Sequence, residues 1–233
     1  LARLRGSLAS AGLPPVEPEA LAREAAALLA ALPLNEGNLR IVVTDSGRVL
    51  HHRRHFYPPE ETYATGVPVG MLAWDRVDPS QKAVRSDYKA AVAEKLAREG
   101  PFGRYFETLL VSSSGKVTEG SRSNVFFLDL GTRVLRTAPD EDVLLGVTRR
   151  HVLEAVRCAG LSVRYEAVAA ADVLAGRCGV LFLTGTSIGV LPVSSVEGTA
   201  LGSARNESIA KVRTEYDRIV HEYIEEHRGG LVP

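Results

Sequence analysis

One carboxylate stands out by its placement. The run Lys-Val-Thr-Glu-Gly-Ser-Arg-Ser-Asn-Val-Phe, residues 116–126, carries Glu119 to the end of a short alternating strand, where the chain turns through the small residues of 120–123. It becomes apolar again at Val125, Phe126 and Phe127. A carboxylate at a strand end can hold a cationic nitrogen or move a proton, whereas a hairpin with a solvated loop would need no chemistry. This stretch alone leaves both readings open. Among the lysines, Lys89, Lys95 and Lys211 read as helix-surface charges, while Lys82 precedes a helix and Lys116 opens the hairpin. Two further turns suit an anion. In one, Gly146 precedes the helix start at Val147 and Thr148, and in the other Thr184, Gly185, Thr186 and Ser187 follow an apolar strand. Backbone N–H groups at such places have no partner within their own element.

These residues need a frame to position them. At 233 residues, with 45% hydrophobic and 24% charged side chains, the chain can build one large or two modest cores. Basic and acidic residues balance at 28 each, which leaves no electrostatic footprint for nucleic acid or an anionic membrane. No apolar run approaches a membrane span, and no secretory signal is read. Cys158 and Cys178 lack metal-type spacing and suit a reducing compartment, so a cytoplasmic location is expected. No metal site is expected.

The spacing predicts helices over 1–12 and 17–32, then a hairpin over 39–57 turning at Asp45-Ser46-Gly47. The basic run 51–55 is split between two faces by strand alternation and reads as an edge strand that discourages outside pairing. Residues 66–79, with two prolines and two glycines, read as a connection holding at most short strands. A helix over 86–99 follows, then strands over 106–112, 116–120, 124–130 and 133–138. A helix ending at Gly160, strands over 162–168 and 179–183, and a closing helix over 204–227 complete the chain. The expected domains are 1–65 (small), 66–79 (connection) and 80–233 (large). No internal repeat and no Rossmann or Walker fingerprint is found.

A lysine at an element boundary, a carboxylate on a strand end and two anion-suited turns form the set that pyridoxal phosphate requires. Lysine forms the Schiff base, a carboxylate keeps the pyridine nitrogen protonated, and N–H groups with hydroxyls hold the phosphate. The sequence resembles the class IV aminotransferases (fold-type IV pyridoxal-phosphate enzymes) over essentially its whole length. Residues 117–126 resemble the strand and loop that carry the family's pyridine-nitrogen glutamate, which puts that role on Glu119. Leu-Gly-Val-Thr-Arg, 145–149, resembles the phosphate-binding helix start and implies contacts from Val147 and Thr148. Residues 184–193 resemble the second phosphate turn and implicate Thr186 and the N–H of Ser187.

The same resemblance puts the Schiff base on Lys82, with Lys89 as the rival one turn inside the helix, and suggests Tyr88 for the cofactor's phenolic oxygen. Leu1-Ala2-Arg3-Leu4 resembles the tail of a His-x-x-Arg-Leu element, making Arg3 a phosphate ligand and implying a segment upstream of this sequence. The implied fold is α+β: a small α/β sandwich domain and a larger pseudo-barrel domain. The implied activity is amino transfer between an amino acid and a 2-oxo acid, in a homodimer. The alternatives are 4-amino-4-deoxychorismate lyase and a noncatalytic member. Many relatives carry glutamate three residues before the Pro-Val pair where this chain has Gly189, so the substrate is not read from the motif.

Overall fold

The computed structural model describes residues 2–32, 37–75 and 86–227, with the side chains of residues 2 and 3 excepted. Two compact units emerge: the chain up to Tyr57 together with the residues from Glu222 onward, and Pro58–His221.

In the first unit, α1 (Ala2–Ser10) ends as its sequence dictates. Gly12 takes φ 65°, and the bonds Leu13 N–Leu8 O (2.9 Å) and Gly12 N–Ala9 O (3.2 Å) close a Schellman turn. Helix α2 (Pro18–Ala30) starts on proline, whose missing N–H would have had no helical partner. Strands β1 (Asn38–Thr44) and β2 (Gly47–Arg53) pair antiparallel, with Thr44 opposite Gly47 across the two-residue turn. Ile41, Val43 and Leu50 turn toward Leu8, Val16 and Leu21 and form this unit's core. The basic run contributes to β2, which pairs with β1 in a sheet of two strands among the described residues.

The second unit begins with α3 (Glu60–Thr65) and β3 (Val67–Ala73), followed by α4 (Ser86–Ala97). A minimal ribbon, β4 (Glu99–Gly100) and β5 (Gly103–Arg104), leads to β6 (Glu107–Val111), β7 (Lys116–Gly120), β8 (Asn124–Leu128) and β9 (Val134–Thr137). Next come α5 (Val147–Cys158), β10 (Ser162–Tyr165), β11 (Val168–Ala169) and α6 (Ala170–Leu174). The hairpin of β12 (Val180–Gly185) and β13 (Gly189–Val196), the short β14 (Thr199–Ala200) and α7 (Glu207–Glu226), whose residues from Glu222 count with the first unit, complete the order.

Among the described residues one curled sheet runs β10-β9-β8-β12-β13-β3-β6-β7-β11, with β14 added to β13. It is mixed: β10–β9, β13–β3 and β3–β6 are parallel and the other pairs antiparallel. This is the expected mixed α and β architecture with a barrel-like sheet.

The central strands are buried on both faces, and their apolar runs follow from that. On β8, Val125 and Phe127 join one core with Leu109, Leu181 and Leu191, while Phe126 and Leu128 join another with Val152, Val156 and Val212. Phe126 stacks on Phe182 at 5.2 Å between ring centroids. Burying each such ring contributes roughly 2–3 kcal/mol. Strand β8 stops at Leu128 rather than 130, because the Asp129 carboxylate accepts N–H bonds from Gly131 (3.0 Å) and Thr132 (2.8 Å) and folds the chain into a turn.

The stretch 66–79 departs from expectation, since Val67–Ala73 is an interior strand. Its proline and glycine have local reasons. Pro68 sits where the β3–β13 register shifts, so its missing donor breaks no regular ladder. A Cβ on Gly70 would lie 2.6 Å from Lys95 Cε, so glycine there admits close packing. Residues 76–85 lie outside the described residues.

Candidate active site

Three strand ends and a helix start converge here. Glu119 and Gly120 end β7, Asn124 begins β8 opposite Thr184, and Thr184–Gly185 end β12. Helix α5 starts beside them, after a loop that joins the site through Leu144.

Glu119 is 2% exposed. Its Oε2 accepts the Leu144 N–H at 3.1 Å and the Asn124 Nδ2–H at 3.3 Å. Asn124 also donates to the Leu144 carbonyl at 3.1 Å. Both of these partners are acceptors, which fixes the orientation of the Asn124 amide. A Cβ on Gly146 would come within 2.9 Å of Asn124 Oδ1, so the backbone entering α5 is drawn tight against this amide.

The start of α5 is itself anchored. Arg149, 2% exposed, donates to Thr137 Oγ1 (3.2 Å), the Ala138 carbonyl (2.9 Å) and Asp140 Oδ1 (2.8 Å). Burial pushes its guanidinium below the usual arginine range, and Asp140 offsets part of that. The helix has Gly146 as N-cap, with no side chain to satisfy the first-turn N–H groups. Val147, its first residue, is exposed, while Thr148 is buried. Thr148 Oγ1 lies 3.4 Å from Thr186 Oγ1 in the β12–β13 turn, which Ser187 follows and an Ile188 N–Gly185 O bond of 3.0 Å closes. Thr184 Oγ1 beneath this turn is buried and makes no hydrogen bond among the described residues. Gly189 ends the turn at φ 52°, a conformation that a glutamate would adopt only with strain.

Of the residues singled out in the sequence, Glu119, Thr148, Thr186 and Ser187 thus occupy one end of the sheet's central strands. Tyr88, on α4, has its ring against Trp74 (5.3 Å between centroids) and donates its O–H to the Ser121 carbonyl at 2.8 Å. Arg3 lies in α1, but its side chain is outside the described part, and Lys82 lies within the undescribed 76–85.

Two residues escaped the sequence reading. Asn124 stands in the run 117–126 without a role of its own, and Glu107 reads only as part of the strand 106–112. Glu107 is 2% exposed and accepts four bonds: from Thr108 N (2.8 Å), Arg122 N (3.1 Å), Ser123 Oγ (3.1 Å) and Ser121 Oγ. An acidic residue opening an otherwise apolar strand was the available signal.

A pyridoxal phosphate asks for a shielded carboxylate and an anion cradle. The donor chemistry here fits: a buried glutamate, an uncapped helix start, two hydroxyls at 3.4 Å and the buried Thr184 hydroxyl.

The chain is also similar to known proteins. The family profile described as amino-transferase class IV matches residues 1–196. A probable branched-chain-amino-acid aminotransferase of Aquifex aeolicus is 29% identical over 173 residues, 72% of this chain and 54% of that protein. The chain therefore spans about half the length of this relative. A Thermotoga maritima structure assigned as a branched-chain amino acid aminotransferase superposes with a TM-score of 0.79 at 24% identity, over 98% of this chain and 82% of that one. A structure assigned as a 4-amino-4-deoxychorismate lyase gives 0.69 at 27% identity, over 91% and 81%. The chain belongs to the class IV amino-transferase family.

Proposed function

We propose that this protein transfers an amino group between an amino acid and a 2-oxo acid with pyridoxal phosphate as cofactor. The observation that carries the reading is the buried Glu119 carboxylate, held by Asn124 and Leu144 beside an uncapped helix start. The cofactor, when bound, draws electron density from the substrate α-carbon. Glu119 would accept the ring N–H and stabilise its positive charge. The first-turn N–H groups at Val147 and Thr148, the Thr148 and Thr186 hydroxyls and the Ser187 N–H would hold the phosphate, with Arg3 as a further ligand. Lys82 would anchor the aldehyde, and its Nζ would take the substrate α-proton and return it. Tyr88 would lie toward the phenolic oxygen.

The test is a visible spectrum of the purified full-length protein, then borohydride reduction and peptide mapping. A yellow protein whose reduced adduct maps to Lys82 is expected. A colourless protein that gains no band with added pyridoxal phosphate would overturn the reading. Lys82→Ala should abolish turnover with the far-UV circular dichroism unchanged, and retained activity would remove Lys82 from this role. The similarity to a lyase structure favours elimination of pyruvate as a second reading. Dependence on a 2-oxo acid separates the two, because only the transferase needs an acceptor. We further infer a homodimer, testable by sedimentation, and a cytoplasmic location, supported by the free Cys158 and Cys178.

A further inference from the structure

We infer that Glu107 is a positioning residue for the cofactor site, fixing the loop that joins the glutamate strand β7 to β8. This rests on the pyridoxal-phosphate reading above. Its carboxylate divides its bonds evenly. Oε1 takes the Thr108 N–H and the Ser121 hydroxyl, and Oε2 takes the Arg122 N–H and the Ser123 hydroxyl. Each oxygen therefore faces one serine hydroxyl, which can rotate, and one backbone N–H, which cannot. The Arg122 side chain adds to the clamp from outside, with Nε 3.7 Å from Oε2 and Nη2 donating to the Phe106 carbonyl at 2.9 Å.

The clamp reaches the site along two routes. Ser121, held by its hydroxyl, presents the carbonyl that receives the Tyr88 O–H at 2.8 Å. Ser123, held likewise, is followed by Asn124, whose amide supports Glu119 and Leu144. Gly120 makes the arrangement possible, since a Cβ there would sit 2.1 Å from Ser123 Oγ and 3.3 Å from Glu107 Cγ. Glu107 bonds Thr108, Ser121, Arg122 and Ser123 rather than Asn124 or Leu144, so it acts through the loop.

Glu107→Gln tests this with nearly unchanged shape. Whichever way the amide is turned, its NH2 faces a backbone N–H, so one donor must lose its acceptor. Two readouts apply. In the protein without cofactor, one of the Thr108 and Arg122 amides should exchange hydrogen at least about tenfold faster than in wild type. Pyridoxal phosphate, titrated by absorbance, should bind about tenfold more weakly, and the pH midpoint of its bound absorption band should move. Glu107→Asp, which keeps an acceptor-only group, should recover part of both. Wild-type exchange, affinity and band midpoint in Glu107→Gln would overturn the inference. Should that variant fail to fold, the double variant Ser121→Ala/Ser123→Ala decides, because it removes only the two rotatable donors; unchanged affinity there overturns the inference too. A wild-type protein that binds no pyridoxal phosphate would instead sink the functional reading, leaving the exchange rates to judge the clamp.

Discussion

The two ends of the candidate site are built on opposite plans. At the carboxylate end, the polar groups of the loop are tied to one another. Gly120 N bonds Ser123 O at 2.7 Å, Ser121 N bonds Thr108 O at 2.9 Å, Glu107 gathers four donors and Asn124 bridges Glu119 to Leu144. At the anion-suited end, Gly146 offers no cap, Val147 is exposed, and the Thr148 and Thr186 hydroxyls stand 3.4 Å apart. The difference fits the proposed tasks. A buried carboxylate must be held in one direction by donors that offset its desolvation. An anion cradle is useful only if its donors remain available to the anion.

Substitutions can break or sharpen that contrast. The largest effect is expected for Gly120→Ala. Its Cβ must displace the Ser123 hydroxyl from Glu107 and press on the Ser123 carbonyl, 3.2 Å away, destabilising the fold by about 2–3 kcal/mol in urea denaturation. Asn124→Ala should follow. It leaves the Leu144 carbonyl and Glu119 each short of a donor, costs about 1–2 kcal/mol and weakens pyridoxal-phosphate binding as well. Thr148→Val keeps the volume of a buried side chain that lacks a strong partner. Stability should change by less than about 1 kcal/mol while cofactor affinity falls by about five- to tenfold. Thr186→Ala, at an exposed turn position, should leave stability within about 0.5 kcal/mol and reduce affinity only a few-fold. If Thr148→Val destabilised the protein as much as Asn124→Ala, the anion end would be braced after all and the contrast would fail.

Much of the frame was legible from local chemistry. Gly160 caps α5 with the bonds Leu161 N–Val156 O (3.1 Å) and Gly160 N–Arg157 O (3.0 Å), the same closure that Gly12 gives α1. In α7, Ile209 and Val212, three residues apart on one helix face, are buried. Tyr223 recurs at the same helical spacing but is 51% exposed, because periodicity names a face but not how far along the helix the cover extends. Strand β3 was hidden by its own punctuation. Pro68 and Gly70 read as a linker until the register shift against β13 and the packing of Lys95 give each a place inside the sheet.

By itself, then, the sequence determined the longer helices, the hairpins, most of the apolar strands and the motifs that carry Glu119, Thr148 and Thr186, because these depend on neighbours a few residues away. Tertiary structure alone decided what Glu107 and Asn124 do. Beyond the nearby Thr108 and Glu119, their partners lie 14 to 20 positions along the chain, at Ser121, Arg122, Ser123 and Leu144. A buried polar side chain takes its meaning from the donors and acceptors that converge on it. Only the folded sheet brings those together.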